Sequence, residues 1–316
     1  MDLIGAFEKM FPVLFVFFAG VVIARKNYIG AASSGAFANY AFLLAIPCYL
    51  FKNLYEIDLQ VLFQWNALIA YVCSATICLL FIGFLAARAN PSNSRAVAIR
   101  IMAGVQVNTA YFAIPIFIML FGNAAPILPV LLFQVCILSA VVIAIMEFSD
   151  PRSEKVGSSG KLIRSAVASL NTPVILACNA AIAFNLLSIH VPAVVLDGFS
   201  FVGDSASPVA LFALGLHLGG STGLLRKTSM EEAALIGFKC VLFPVITYLV
   251  ASTVFSVDKS WLAYLVLIAA MPSPQNLFIF AQRYDVEVDL SASIVVKSSI
   301  ASLILMPFWA WWTISA

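Results

Sequence analysis

Hydrophobic residues in this chain fall into long runs that do not alternate with polar ones, each about as long as the roughly 20 residues a helix needs to cross a bilayer. Ten such runs are read as membrane-spanning helices. The first five are Phe7–Ala24, Gly35–Phe51, Phe63–Ala87, Ala96–Phe121 and Ile127–Met146. The second five are Ala166–Leu187, Phe199–Leu218, Ala233–Ser252, Ala263–Tyr284 and Ser291–Trp312. Between the two sets lies the chain's longest charged and small-residue stretch, Ser149–Leu162. Runs this long and unalternating exclude a transmembrane β-barrel.

A half-length repeat runs through the pattern. Pro12 precedes Pro173 by 161 residues and Pro47 precedes Pro208 by the same interval. Phe133 precedes Val296 by 163 residues, and Pro115 precedes Pro274 by 159. The expected organisation is therefore a first five-helix repeat over residues 1–148, a cytoplasmic linker over 149–162, and a second over 163–316. An odd number of spans per repeat makes the two enter the membrane in opposite senses, the arrangement of many secondary transporters. The expected fold class is an all-α membrane protein of ten transmembrane helices in two inverted repeats, with broken helices 4 and 9 crossing.

Composition agrees: 63% of the 316 residues are hydrophobic and 10% charged, far from the balance of a soluble domain. Of the 17 basic residues, twelve fall in the loops on one side of a ten-span chain, three on the other, and Lys239 and Lys297 within spans. That asymmetry places the linker in the cytoplasm and both termini outside a multi-pass cell-membrane protein. Lys239, in span eight, and Arg100, opening span four, are expected near cytoplasmic ends. The N-terminal segment lacks the basic and small-residue features of a cleaved leader and reads as a retained first helix. A net charge of +2 gives no reason to expect nucleic acid. Six scattered cysteines without a CxxC or a Cys/His cluster indicate neither a disulfide framework nor a zinc site. With no Walker pattern, HExxH or GxSxG, and with Phe201 where a Gly-Asp intramembrane protease needs glycine, the chain reads as no enzyme, and no cofactor is expected.

The fourth and ninth spans carry the chemistry. Each is interrupted by proline, at Pro115 in one and at Pro272 and Pro274 in the other. Proline lacks an N–H, so Pro115 frees the Tyr111 carbonyl and Pro274 that of Ala270. Such breaks persist inside a membrane only where protein or water satisfies the backbone. Gln106, Asn108 and Thr109 flank one break and Ser273, Gln275 and Asn276 the other. Two half-helix N-termini facing one cavity would favour an anion. Tyr111 is placed to stack on a substrate, and Gln134, the repeat counterpart of Lys297, is expected to face the same cavity.

The stretch Asn108–Ile116 followed by Leu120–Gly122 resembles the auxin efflux carrier family, which includes plant PIN-type carriers and bacterial malonate-carrier-like proteins. The ninth-span block from Ala269 onward and Ala206–Leu218 resemble the same family. The resemblance covers essentially the whole chain. It implies crossing broken helices around a central organic-anion site, a scaffold of spans 1, 2, 6 and 7, a moving part of spans 3–5 and 8–10, and a homodimer. It gives the anion-site roles to Asn108, Thr109, Gln275 and Asn276, with Pro115 and Pro274 as breaks. Ala113 stands where PIN-type carriers have glycine, and their long cytoplasmic loop is absent.

Lys297 is argued locally, because a buried ammonium in a span is costly without a partner. Three roles are open to it: binding a substrate carboxylate, pairing with an acid such as Asp204, or snorkelling to the cytoplasmic interface. The function expected is secondary transport of a small carboxylate, malonate-like or auxin-like, by alternating access, with a proton or sodium as possible coupling ion. The alternatives are a proton- or sodium-coupled ion exchanger and a non-transporting membrane receptor.

Overall fold

The computed structural model describes residues 3–56, 64–148, 173–220 and 227–315. Among them every regular element is helical. Helix α1 (Leu3–Arg25) is followed by α2 (Ser34–Tyr40) and α3 (Ile46–Glu56), which a π-turn at Ala41–Ala45 fuses into one rod. Helix α4 (Trp65–Ala89) leads into α5 (Ser94–Val105), whose N-terminus is capped by Asn93 accepting from the Ala96 N–H. After a gap come α6 (Ile114–Phe121), α7 (Leu128–Phe133) and α8 (Ser139–Phe148).

The second half opens with α9 (Pro173–Leu186), then α10 (Ala193–Gly203) and α11 (Ala206–Gly219). Helix α12 (Met230–Gly237), capped by Ser229, continues through a π-turn at Phe238–Leu242 into α13 (Phe243–Leu249). Helix α14 (Lys259–Ala270) starts on Asp258, which accepts from the Ser260 and Trp261 N–H groups. Beyond a second gap lie α15 (Asn276–Arg283) and the 28-residue α16 (Val288–Ser315).

Five continuous helices among the described residues are long and apolar enough to cross a membrane: Ala31–Glu56, Trp65–Ala89, Ala193–Gly219, Met230–Val254 and Val288–Ile314. They contain four of the ten runs picked from the sequence and most of a fifth, Phe63–Ala87. Pro173–Leu186 and Lys259–Ala270 are apolar but shorter. The linker 149–162 lies outside the described residues.

Helix α1 packs along α11, and α3 against α9 and α10, while α4, α5, α13, α14 and α16 gather on one another. The α1–α11 seam depends on glycine. A Cβ at Gly215 would collide with the Phe17 carbonyl oxygen, and one at Gly20 would lie 2.6 Å from that of Phe212. Backbone therefore meets backbone there, the close approach that small residues permit between apolar helices.

Candidate functional site

Two helices stop inside the bundle. Helix α5 ends at Val105, and Gln106 turns extended (φ −73°, ψ 154°). Helix α14 ends at Ala270, and Met271 does the same (φ −64°, ψ 153°). The interruptions meet: the Asn108 N–H donates to the Pro272 carbonyl at 3.0 Å, joining residues far apart in sequence through one backbone bond.

The first interruption lies upstream of the proline that marks it. Pro115 sits in the opening turn of α6, behind a π-turn at Thr109–Ala113. The Ala113 N–H reaches back five residues to the Asn108 carbonyl at 3.0 Å. This wider turn accommodates a residue without an N–H, so the helix is interrupted at Gln106–Asn108 rather than at Pro115. The Pro115 carbonyl accepts from Ser207 Oγ on α11 at 2.9 Å.

Side chains take up the backbone groups that the interruptions release. Gln134 Oε1 accepts from the Val107 N–H at 2.8 Å, while its amide donates to the Tyr71 hydroxyl at 2.9 Å. Gln134 is thus buried and braces the first break. Gln106 donates to Ser139 Oγ at 3.1 Å. At the second break Ser273 Oγ donates to the Ala103 carbonyl at 2.6 Å, and its N–H to Ser298 Oγ at 3.2 Å. The Ala270 carbonyl, freed as the proline chemistry requires, accepts from Ser302 Oγ at 2.7 Å. Polar groups in apolar surroundings are costly unless paired in this way.

Asn108 is buried, Thr109 is half-buried at the start of the π-turn, and Asn276 is exposed at the first position of α15. The Tyr111 side chain lies outside the described residues. Gln275 lines a cavity of about 100 Å³ with Ser34, Gly35, Leu214 and His217, between α2, α11 and the second break.

Lys297 lies on α16, one residue before the Ser298 that holds the second break. Its Nζ is 3.1 Å from Glu232 Oε1 and donates to Thr228 Oγ1 at 3.0 Å. Glu232 is fully buried and also accepts from Ser293 Oγ. The acid facing Lys297 is therefore Glu232, not Asp204. Arg100 is likewise paired, with Glu231 and with Glu287.

Lys239 is where the expected placement fails. Instead of lying at a bundle end it is fully buried, and its Nζ donates at 2.9 Å to the carbonyl of Ala269, next to last in α14. The π-turn at Phe238–Leu242 turns it inward, which an apolar run read without depth cannot reveal. Glu232 was also missed, since Ser229–Glu232 reads as an ordinary S-x-x-E helix start.

A family model for membrane transport proteins matches residues 5–310. The chain belongs to that family. It is therefore a multi-pass membrane protein of a transporter family, as the sequence resemblance to auxin efflux carriers implied. Among similar membrane transport proteins, one from Rhizobium meliloti (strain 1021), named provisionally a malonate transporter, is 22% identical over 92% of this chain and 91% of its own. An uncharacterized transporter from Methanothermobacter thermautotrophicus is 24% identical over 98% of this chain and 99% of its own. The lysosomal cholesterol signaling protein of Mus musculus is 23% identical over 96% of this chain, which corresponds to 37% of that longer protein.

Proposed function

We propose that this membrane transport protein is a secondary carrier of a small organic anion, a carboxylate of malonate's class, working by alternating access at the crossover. The observation that carries the reading is the 3.0 Å bond from the Asn108 N–H to the Pro272 carbonyl, which brings two helix interruptions to one point. The π-turn Thr109–Ala113 that runs into α6 and helix α15 both begin beside that point. Helix N-termini concentrate N–H donors and partial positive charge, which suits a carboxylate. Asn108, Thr109, Gln275 and Asn276 supply side-chain donors, and the cavity at Gln275 is the approach. The Rhizobium relative's name makes malonate the first probe.

In this reading the chain crosses the membrane ten times as two inverted five-helix repeats, with both termini outside and the central linker cytoplasmic. The near-constant proline spacing and the meeting of the two breaks support that arrangement. The carrier works as a homodimer, with a proton or sodium as coupling ion. The rival with a structural foothold is an ion exchanger without organic substrate, because the buried Glu232 carboxylate and the partly buried Lys297 form an acid–base couple.

Uptake of labelled malonate into proteoliposomes, with and without a pH or sodium gradient, separates the two. The carrier reading expects saturable uptake that Asn108→Ala and Asn276→Ala each reduce tenfold or more, about the worth of a hydrogen bond to a charged group. Ion flux without uptake of any small carboxylate supports the exchanger and overturns the carrier.

A further inference from the structure

Arg100 and Lys297 each meet a carboxylate, and that of Lys297, Glu232, is fully buried. Lys239 does not. Its side chain is fully buried, with Nζ on the Ala269 carbonyl and 4.6 Å from the centre of the Phe243 ring. The titratable groups facing it are the thiols of Cys78 on α4 and of Cys240 beside it. Among the described residues no carboxylate pairs with it. An ammonium enclosed this way is costly, and a ring face and a carbonyl offset only part of the cost.

What it touches gives the position meaning. Ala269 and Ala270 end α14, and their carbonyls form the negative pole of a helix that stops inside the bundle. Across the break, Asn276 begins α15, which offers a positive pole. Left alone, the two poles would largely cancel at the crossover, and the break would show little preference for charge. Lys239 covers the Ala269 carbonyl while Ser302 takes that of Ala270. The negative pole of α14 is thereby offset and no longer cancels the positive pole of α15 beside the Asn108–Pro272 contact.

We propose that Lys239 supplies the positive charge that makes the crossover select anions, and that the bound carboxylate is the counter-ion that holds it charged. It is a positioning residue: it acts through the end of α14 and does not touch the substrate. The inference rests on the carboxylate reading given above and adds to it the residue that sets the sign of the cargo. It also predicts an order of preference, with carboxylates taken over amides of the same shape.

The test compares wild type, Lys239→Met and Lys239→Arg as purified protein, using malonate and its neutral isostere malonamide as probes, together with thermal unfolding of the empty protein. Lys239→Met keeps the volume and removes the charge. Its malonate affinity is expected to fall about tenfold or more, narrowing the preference for malonate over malonamide, while Lys239→Arg retains most of both. The empty Lys239→Met protein is expected to melt higher than wild type, because a buried charge without an acid has been removed. A purely structural lysine gives a different pattern, in which both variants lose affinity and melting temperature together. That result, or unchanged malonate affinity in Lys239→Met, overturns the proposal. If wild type binds neither malonate, acetate nor succinate, the carboxylate reading falls on its own. The melting comparison then still decides Lys239: a higher midpoint in Lys239→Met upholds the uncompensated charge, and a lower one overturns it.

Discussion

Glu232 shows how much of the interior's order rests on single polar side chains. Its N–H is capped by Ser229 while its fully buried carboxylate meets Ser293 and Lys297. Removing one member of such a pair strands the other charge. Lys297→Gln should therefore cost about 3 kcal/mol or more of stability in the empty protein, and Glu232→Gln in the same chain should restore most of it. Thermal unfolding of both single variants and the double variant reads this directly, and a silent Lys297→Gln would mean that the pair is incidental. Lys297 and Gln134 both stood out in the sequence as polar residues within apolar runs, spaced by the repeat interval. Their partners did not, because a pairing across helices depends on which face each helix presents. Lys239 shows the same limit: its depth follows from a π-turn and from the end of a different helix.

At the level of elements, the apolar runs were legible and the positions of their interruptions were only half so. Proline marks where a helix loses a hydrogen bond, and at Pro272 and Pro274 the break lies where the prolines are. At Pro115 the π-turn absorbs the missing N–H, and the non-helical residues lie upstream at Gln106–Asn108. The choice between these outcomes belongs to the neighbours, since Gln134 holds the Val107 N–H in place. The seam between α1 and α11 gives an element-scale prediction. Gly215→Ala would press a methyl group onto the Phe17 carbonyl, and the helices would have to part. A loss of about 1–3 kcal/mol is expected, the usual range for overpacking. Gly237, with nothing within 4 Å of its absent Cβ, is the control, and Gly237→Ala should be neutral or stabilising by up to about 1 kcal/mol. Equal melting temperatures for the two alanine variants would remove glycine packing as the basis of the seam.

At the level of the whole molecule, the basic-residue asymmetry makes a prediction independent of any side-chain contact. Cysteines introduced one at a time at positions 155 and 316 of a cysteine-free variant should label from opposite sides of the membrane, 155 from the cytoplasm and 316 from outside. Labelling from one side would end the ten-crossing arrangement and the opposed repeats together. The bond between Asn108 and Pro272 has a consequence of another kind, in time. The Asn108 amide belongs to a stretch without helical hydrogen bonding, yet it is buried and bonded to the other break. Its deuterium uptake should therefore be as slow as that of the helix interiors, not fast like a loop, since exchange requires the bond to open. If alternating access pulls the two breaks apart, each excursion exposes that amide to solvent. A pulse of heavy water would then turn one backbone hydrogen into a clock for the cycle, slowed when a bound anion holds the two breaks together.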